Sequence, residues 1–288
     1  MQNTDLPRIL WMYWHQGADQ APHLVKTCID SWKSMNPGWD LRLLDQNSMK
    51  SYMEWTFPVL YDPVLSIVAN SELLRVNLLS RYGGVWADAT CLCLQPLDEW
   101  IDKAMGDGFF AFSNPGADRL LSSWFLAAVP GNPLVLDWKN RSNRYWKEHA
   151  FPTRAPASIQ KFSGRLFSRT TSLTWLWFTP VVSKWLKLYP YYWFHYQFER
   201  VVSSSHVAAT IWKNRVDFEA SIPHFFQLYG LYKPYSDDIH AFLDSQRTPM
   251  AKLTWKIKPA RYKPGVVLYE LIEPNGIRSM IRHQEPVV

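Results

Sequence analysis

Cysteine is scarce in this chain of 288 residues, with only Cys28, Cys91 and Cys93 present. So few, and an odd number, exclude a disulfide framework. Cys91 and Cys93 have no second pair with which to complete a zinc site, and alternate residues of one strand account for them better. A reducing cytoplasm is the compartment this usage predicts. No apolar stretch of about 20 residues runs free of charge, so no membrane-spanning helix is expected. The opening MQNTDLPRIL has neither a basic run nor an apolar one behind it, which predicts no secretory leader. Zinc-finger spacing, an RNP-like motif and an arginine-studded helix are all missing, and nucleic acid is therefore not an expected partner. Repeats and low-complexity tracts are absent as well.

Aromatic side chains are what the chain has in excess: 16 Trp, 14 Tyr and 15 Phe, alongside a net charge of +6 and a pI near 9.1. A basic, aromatic-rich surface suits anionic partners, a membrane surface ahead of nucleic acid. Ser172 to Phe198 holds eleven aromatic residues and no acid, with Lys184 and Lys187 inside it and Pro180 and Pro190 dividing it into short helical pieces. It reads either as an interfacial segment, with rings at headgroup depth and lysines on anionic lipid, or as the core of a second lobe. Lys252, Lys256, Lys258, Arg261 and Lys263 form a further cationic run, and such a run is often only a solvated face. The length suits one elaborated domain or a domain plus a lobe. Loss of periodicity in FPTRAPASIQKFSGRL sets a boundary near residues 150 to 170.

Periodicity organises the first half. Ile9 to Trp14 alternates as a strand, with Trp11 and Tyr13 on one face and Met12 and Trp14 on the other. Leu24 to Met35 follows as a helix, stopped by Asn36-Pro37-Gly38, and Trp39 to Leu44 is a second strand. That β-α-β opening predicts a parallel, Rossmann-like α/β sheet. In NSELLRVNLLSRYGGVWADAT, residues 70 to 90, an amphipathic helix capped at Asn70 or Ser71 carries Glu72 and Arg75 on one side. Gly83-Gly84 stops it, Val85 to Ala87 form a short strand, and Asp88-Ala89-Thr90 stand at the strand's carboxyl end, where open α/β sheets bind their ligands. The plainer reading is a surface Glu–Arg pair and an aspartate capping a turn. Phe109 to Phe112 and Ser123 to Val129 are further strands, and Asn132-Pro133 opens a helix running to about His149.

Taken in order, RILWMYWHQG, LVKTCIDSWKSMNPGWDLRLLD, SELLRVNLLSRYGGVWADAT, SWFLAAVPGNP, YYWFHYQFE and IPHFFQ resemble the capsular polysaccharide synthesis family of bacterial glycosyltransferases. These are relatives of sugar-transferring enzymes that carry an Asp-x-Asp motif after a Gly-Gly turn. The matching pieces run from about Arg8 to Lys258. The resemblance implies a GT-A-like fold, a Rossmann-type mixed sheet flanked by helices. Residues 1–150 would form the nucleotide-sugar-binding half, and 151–288 a mostly helical, aromatic-rich acceptor lobe packed on it, or the two one continuous domain. It implies transfer of a hexose from a nucleotide diphosphate sugar, UDP-linked, to a glycan or lipid-linked oligosaccharide hydroxyl with retained configuration. The setting would be surface or capsular polysaccharide synthesis, in the cytoplasm at the inner face of the cell membrane.

The same resemblance assigns residues. Asp88 is the catalytic and metal-binding carboxylate of the motif, holding Mn²⁺ or Mg²⁺ against the departing diphosphate. Thr90 stands where relatives carry the second carboxylate and is a weak, uncharged ligand. Trp11 matches the tryptophan that stacks on uracil, whereas Trp14 is read as core. Glu72, where relatives have aspartate, meets a sugar hydroxyl, and Arg75 offers its planar fork to sugar or phosphate. IPHFFQLYGLYKPY is similar to the His-x-x-Gly-x-x-Lys-Pro-Trp ending of other retaining enzymes. In strict register the metal-binding histidine falls on Gln227, with Lys233 in place and His224 one turn earlier as a candidate metal or diphosphate ligand. His15, His195 and His206 rank lower. Two other classes stay open: an inactive sugar-nucleotide or glycan-binding protein, suggested by Thr90, and a membrane-surface scaffold, suggested by the aromatic stretch.

Overall fold

A computed structural model describes residues 5–53, 66–148, 157–245 and 248–274. Its main sheet contains β1 (Ile9–Tyr13), β2 (Asp40–Leu44), β3 (Gly84–Ala87), β5 (Phe109–Gly116) and β6 (Arg119–Ala128), in the order β2-β1-β3-β6-β5. β1 lies parallel to both β2 and β3, whereas β6 runs antiparallel to β3 and β5. The sheet is therefore mixed, as expected. A second, two-stranded sheet pairs β4 (Cys91–Cys93) antiparallel with β7 (Met250–Lys252).

Helices cover both faces. α1 (His23–Met35) makes the first crossover, followed by α2 (Met49–Met53) and α3 (Ile67–Tyr82), with α4 (Ile101–Ala104) ahead of β5. After β6 come α5 (Pro133–Glu148), α6 (Ala157–Phe167), α7 (Trp193–Ser204), α8 (His206–Asn214), α9 (Phe225–Tyr229), α10 (Asp237–Asp244) and α11 (Val267–Ile272). Strand alternation sorts the faces. Leu10 and Met12 enter one core with α1, β4, β7 and α11, while Trp11 and Tyr13 enter the other with α3, α5, α7 and α8. Both cores draw on residues beyond 150, Phe226 and Leu268 in the first, Phe194 and Phe198 in the second. The expected division into 1–150 and 151–288 therefore does not separate the packing. Part of the segment proposed as its boundary lies outside the described residues.

Two local devices set the edge of the sheet. α3 begins earlier than Asn70, because Ser66 Oγ accepts the Ala69 N–H at 3.1 Å and supplies the cap. At its other end Gly83 and Gly84 have φ of 65° and 91°. A Cβ on Gly84 would lie 2.4 Å from the Ile9 carbonyl oxygen, and one on Gly83 2.6 Å from Pro130 Cδ. Glycine is thus required twice over, by backbone conformation and by close approach, and it lets β3 enter the sheet directly beside β1. α5 is capped as expected, by Asn132 Oδ1 accepting the amides of Leu134 at 3.1 Å and Val135 at 3.4 Å.

The aromatic stretch divides between its two readings. Trp177, Trp193, Phe194, Tyr196 and Phe198 are buried, whereas Trp175, Val181, Trp185, Leu186 and Tyr191 are exposed, Trp185 to 84%. Phe162 and Leu166 of α6 are exposed as well, as are Arg165, Arg169, Lys184 and Lys187. Among the described residues no helix is long and apolar enough to cross a membrane.

Candidate active site

β3 ends at Ala87, and the next residue, Asp88, donates its amide to the Trp124 carbonyl at 2.8 Å, which extends the β3–β6 pairing by one step. The carboxylate leaves the sheet at the carboxyl edge of its parallel half. Its Oδ1 accepts from Trp86 Nε1 at 3.0 Å and faces Arg75 Nη2 at 3.4 Å, and its Oδ2 accepts from Lys252 Nζ at 3.1 Å. Burial works to raise the Asp88 pKa, but Lys252 and then Arg75 outweigh it and hold the carboxyl below its usual range. The side chain remains 29% exposed, so the anion stands at an opening rather than in the core.

Arg75 sits behind it, 5% exposed. Its guanidinium lies over Trp86, 4.9 Å from the ring centroid, and donates to the Ser123 and Ser71 carbonyls and to Ser71 Oγ. Most of its fork is therefore spent within the protein, and its clear role is to orient Asp88. Glu72, one turn away on α3, is buried with Oε2 unpartnered. Burial first, and then the Asp88 charge, push its pKa up to about 8 against the pull of Arg75. At neutral pH Glu72 is a neutral acid able to donate a hydrogen bond.

Four of the residues singled out from the sequence, Glu72, Arg75, Asp88 and Thr90, thus come together. Trp11 does not join them. It is fully buried, donates from Nε1 to the Gly83 carbonyl at 3.0 Å, and is covered by Arg42, Tyr52 and Tyr82. A base could stack there only by displacing that cover, so its observed place is the core. Trp14, read as core, is half-buried just after β1, packs against the core that holds Leu10 and Met12, and meets Trp255, which is 50% exposed, edge-on. His224 packs edge-on against Trp124 with centroids 5.4 Å apart, and burial and then Lys252 lower its pKa to about 4. His15 bonds Tyr13, and His206 is exposed at the start of α8. His195 is buried with Nδ1 unpartnered, its pKa lowered to about 3 by burial and then by Arg119 and Arg75.

Lys252 is the residue the sequence reading missed, because it was placed in a solvated cationic run. Lys256, Lys258, Arg261 and Lys263 are exposed as that reading expects, but Lys252 turns inward from β7. Its Nζ donates to Thr90 Oγ1 at 2.7 Å as well as to Asp88. Burial opposes its charge, yet the adjacent Asp88 holds its pKa above the usual range.

This donor set does not fit the expected Mn²⁺ or Mg²⁺. Asp88 is the one charged ligand at the motif, and both its oxygens already face cations. Thr90, the weak second ligand, is occupied by the same ammonium. A divalent ion bound at about 2 Å from Asp88 would stand against Lys252 and Arg75. Among the described residues no group of three or more His, Cys, Asp or Glu could hold a metal ion, which leaves His224 without co-ligands. Cys91 and Cys93 are buried thiols alternating along β4, and burial pushes the Cys91 pKa up to about 12.

An α/β sheet with a charged, hydrogen-bonding cluster at the carboxyl end of a parallel strand defines a protein built to handle polar ligands at a strand edge. The chain belongs to the family described as capsular polysaccharide synthesis protein, whose profile matches residues 1–153. Among curated proteins it is 26% identical over 158 residues to O-glycosyltransferase braB of Annulohypoxylon truncatum, covering 48% of this chain and 37% of that one. It is 24% identical over 171 residues to inositol phosphoceramide mannosyltransferase 1 of Schizosaccharomyces pombe, covering 56% and 50% respectively. The matches thus span half or less of those relatives' own length. A solved structure titled PaToxG Glycosyltransferase aligns with 73% of this chain and 86% of its own, at 12% identity and a TM-score of 0.36.

Proposed function

We propose that this chain is a hexosyltransferase that uses a nucleotide diphosphate sugar, UDP-linked, in surface or capsular polysaccharide synthesis. The observation that carries the reading is the convergence of Glu72, Arg75, Asp88 and Lys252 at the carboxyl edge of β3. Two cations face one carboxylate there, which leaves positive charge for a diphosphate. The base would lie against the Trp14–Trp255 pair at the same edge. The glycosyltransferase names of the relatives support sugar transfer in general.

In the retaining reaction we assign, the bond from the anomeric carbon to the diphosphate oxygen breaks and its electron pair goes to that oxygen. The acceptor hydroxyl oxygen bonds to the anomeric carbon from the same face, and its proton passes to the leaving oxygen. Lys252 favours this step by stabilising the charge that grows on the diphosphate, and Arg75 by holding Asp88 in place from behind. The acceptor is a glycan or a lipid-linked oligosaccharide. Exposed Trp175, Trp185 and Leu186 amid Arg165, Arg169, Lys184 and Lys187 favour the lipid-linked alternative, on an anionic membrane surface at the cytoplasmic face. Incubation with a panel of UDP- and GDP-sugars, with and without glycan acceptors, tests the reading through release of nucleoside diphosphate. Turnover of a UDP-hexose is expected. Binding without turnover would favour an inactive binding protein, and vesicle binding with no nucleotide binding a scaffold.

A further inference from the structure

Lys252 has the geometry of a built-in counter-ion. We propose that its ammonium, seated between Asp88 and Thr90, binds the donor diphosphate in the place a divalent cation would take, so that donor binding needs no metal. The inference rests on the nucleotide-sugar reading above and narrows it to the group that holds the phosphates.

Lys252 Nζ lies 3.1 Å from Asp88 Oδ2 and 2.7 Å from Thr90 Oγ1, bridging the first and third residues of the motif. An ammonium has three hydrogens, and these two contacts leave one to be directed at a ligand. The side chain is 14% exposed beside an Asp88 that is 29% exposed, so neither is sealed from solvent. As a compact charge, lysine serves well as a phosphate partner.

The backbone of Lys252 is also firmly held. β7 pairs with β4 so that Lys252 stands opposite Cys91. The Lys252 amide donates to the Pro223 carbonyl at 2.8 Å, and the next amide, of Leu253, donates to the Thr90 carbonyl at 2.9 Å. Gln227 Nε2 donates to the Lys252 carbonyl at 2.9 Å. Gln227 is the residue in strict register with a metal-binding histidine, and here its side chain secures the lysine instead. Thr90 departs in the same sense: a hydroxyl accepts from an ammonium without adding a second negative charge that would tie it down. Thr90, Gln227 and Lys252 thus form one mutually consistent set, in which a fixed side-chain cation does the work of an exchangeable one.

Calorimetric titration of UDP and of GDP into the full chain, in EDTA and then in Mn²⁺, tests the inference. The parent should bind a nucleoside diphosphate in EDTA, and Mn²⁺ should change its Kd by less than about twofold. Lys252→Met should weaken binding about 10–100-fold, the range for loss of a hydrogen bond to a charged group, and Lys252→Arg should retain most of it. In the double variant Thr90→Asp with Lys252→Met, nucleotide binding should return in Mn²⁺ and be lost in EDTA. That variant keeps a charge opposite Asp88 when metal is present, and so stands in for Lys252→Met if the single change does not fold. Parental binding that requires Mn²⁺, or Lys252→Met binding as tightly as the parent, overturns the inference and leaves the nucleotide-sugar reading standing. Failure of both nucleotides to bind the parent under either condition overturns the two together.

Discussion

At the carboxyl edge of β3 charge is gathered in a largely buried cluster, whereas in α6 and residues 175–191 apolar side chains stand in water. Both invert the ordinary partition of side chains. They differ in how far the chain itself answers the inversion. Asp88 is met by Arg75, Lys252 and Trp86, each at hydrogen-bonding or ion-pair distance, so the cluster is a fixed geometry that packing alone maintains. Among the described residues Trp175, Val181, Trp185 and Leu186 have no such closure and remain exposed. The first arrangement suits a small ligand whose atoms must be placed; the second suits a surface that supplies area and charge without register.

Breaking the buried half should have the largest effect. Asp88→Asn removes the one negative charge that Arg75 and Lys252 share, and transfer should fall by about three orders of magnitude, equivalent to ~4 kcal/mol of transition-state stabilisation. The fold should suffer as well, by about 3 kcal/mol, because the buried Arg75 and the partly buried Lys252 lose their counter-charge. Steady-state rates on the folded fraction, together with urea unfolding, separate the two effects. A folded Asp88→Asn protein that transfers sugar at the parental rate would remove Asp88 from the site.

The two regions also differ in what the sequence disclosed. β1, α1, β2 and the α3–β3 turn were legible because their signals are local: alternation, an Asn-Pro-Gly stop and paired glycines. The start of α3 was misplaced, since Ser66 lies outside the apolar periodicity and acts through one hydrogen bond. Asp88 was legible from its place after a strand. Its main partner was not, because Lys252 is 164 residues away and reaches it through β4–β7 pairing that no local pattern announces. Trp11 shows a further limit. Alternation assigned it to a face, but only the packing of Tyr52, Tyr82 and Arg42 shows that this face is closed. Residues 172–198 resisted for another reason: they combine a 3₁₀ segment (Thr171–Phe178), a π-turn (Val181–Trp185) and the start of α7, so no single period sorts buried rings from exposed ones.

Glu72 sharpens the account of the buried half through pH. Its ordinary pKa of 4.5 is raised to about 8 in the fold, chiefly by burial. As pH climbs past 4.5 the unfolded chain gives up this proton and the folded chain keeps it. Stability therefore declines with rising pH until folded Glu72 ionises near pH 8. Glu72→Gln abolishes that decline, so the stability difference between variant and parent should move in the variant's favour by on the order of 3 kcal/mol between pH 5 and pH 8. Urea unfolding of both proteins at several pH values in this range measures it. Parallel profiles would mean that Glu72 is solvated and ionised at neutral pH, and the region would lose its neutral hydrogen-bond donor.

The exposed half should respond more weakly and to a different reagent. If rings of this face enter the headgroup region, Trp175→Ser and Trp185→Ser should each lower partitioning onto anionic vesicles about tenfold, ~1.4 kcal/mol for a ring partly removed from water. Lys184→Gln and Lys187→Gln should each lower it about fivefold at low salt, near 1 kcal/mol per charge, and have little effect on neutral vesicles. None of these four changes should alter nucleotide binding, because Asp88 and Lys252 lie in a cluster that is complete without this face. Co-sedimentation with phosphatidylserine and with phosphatidylcholine vesicles, beside a nucleotide titration, reads both properties on one preparation. Equal binding to the two lipids would leave the rings acting without the cations. No binding to either would point to a protein partner as the cover for these rings, and the contrast between a self-completed site and a surface completed by lipid would fail on its second term.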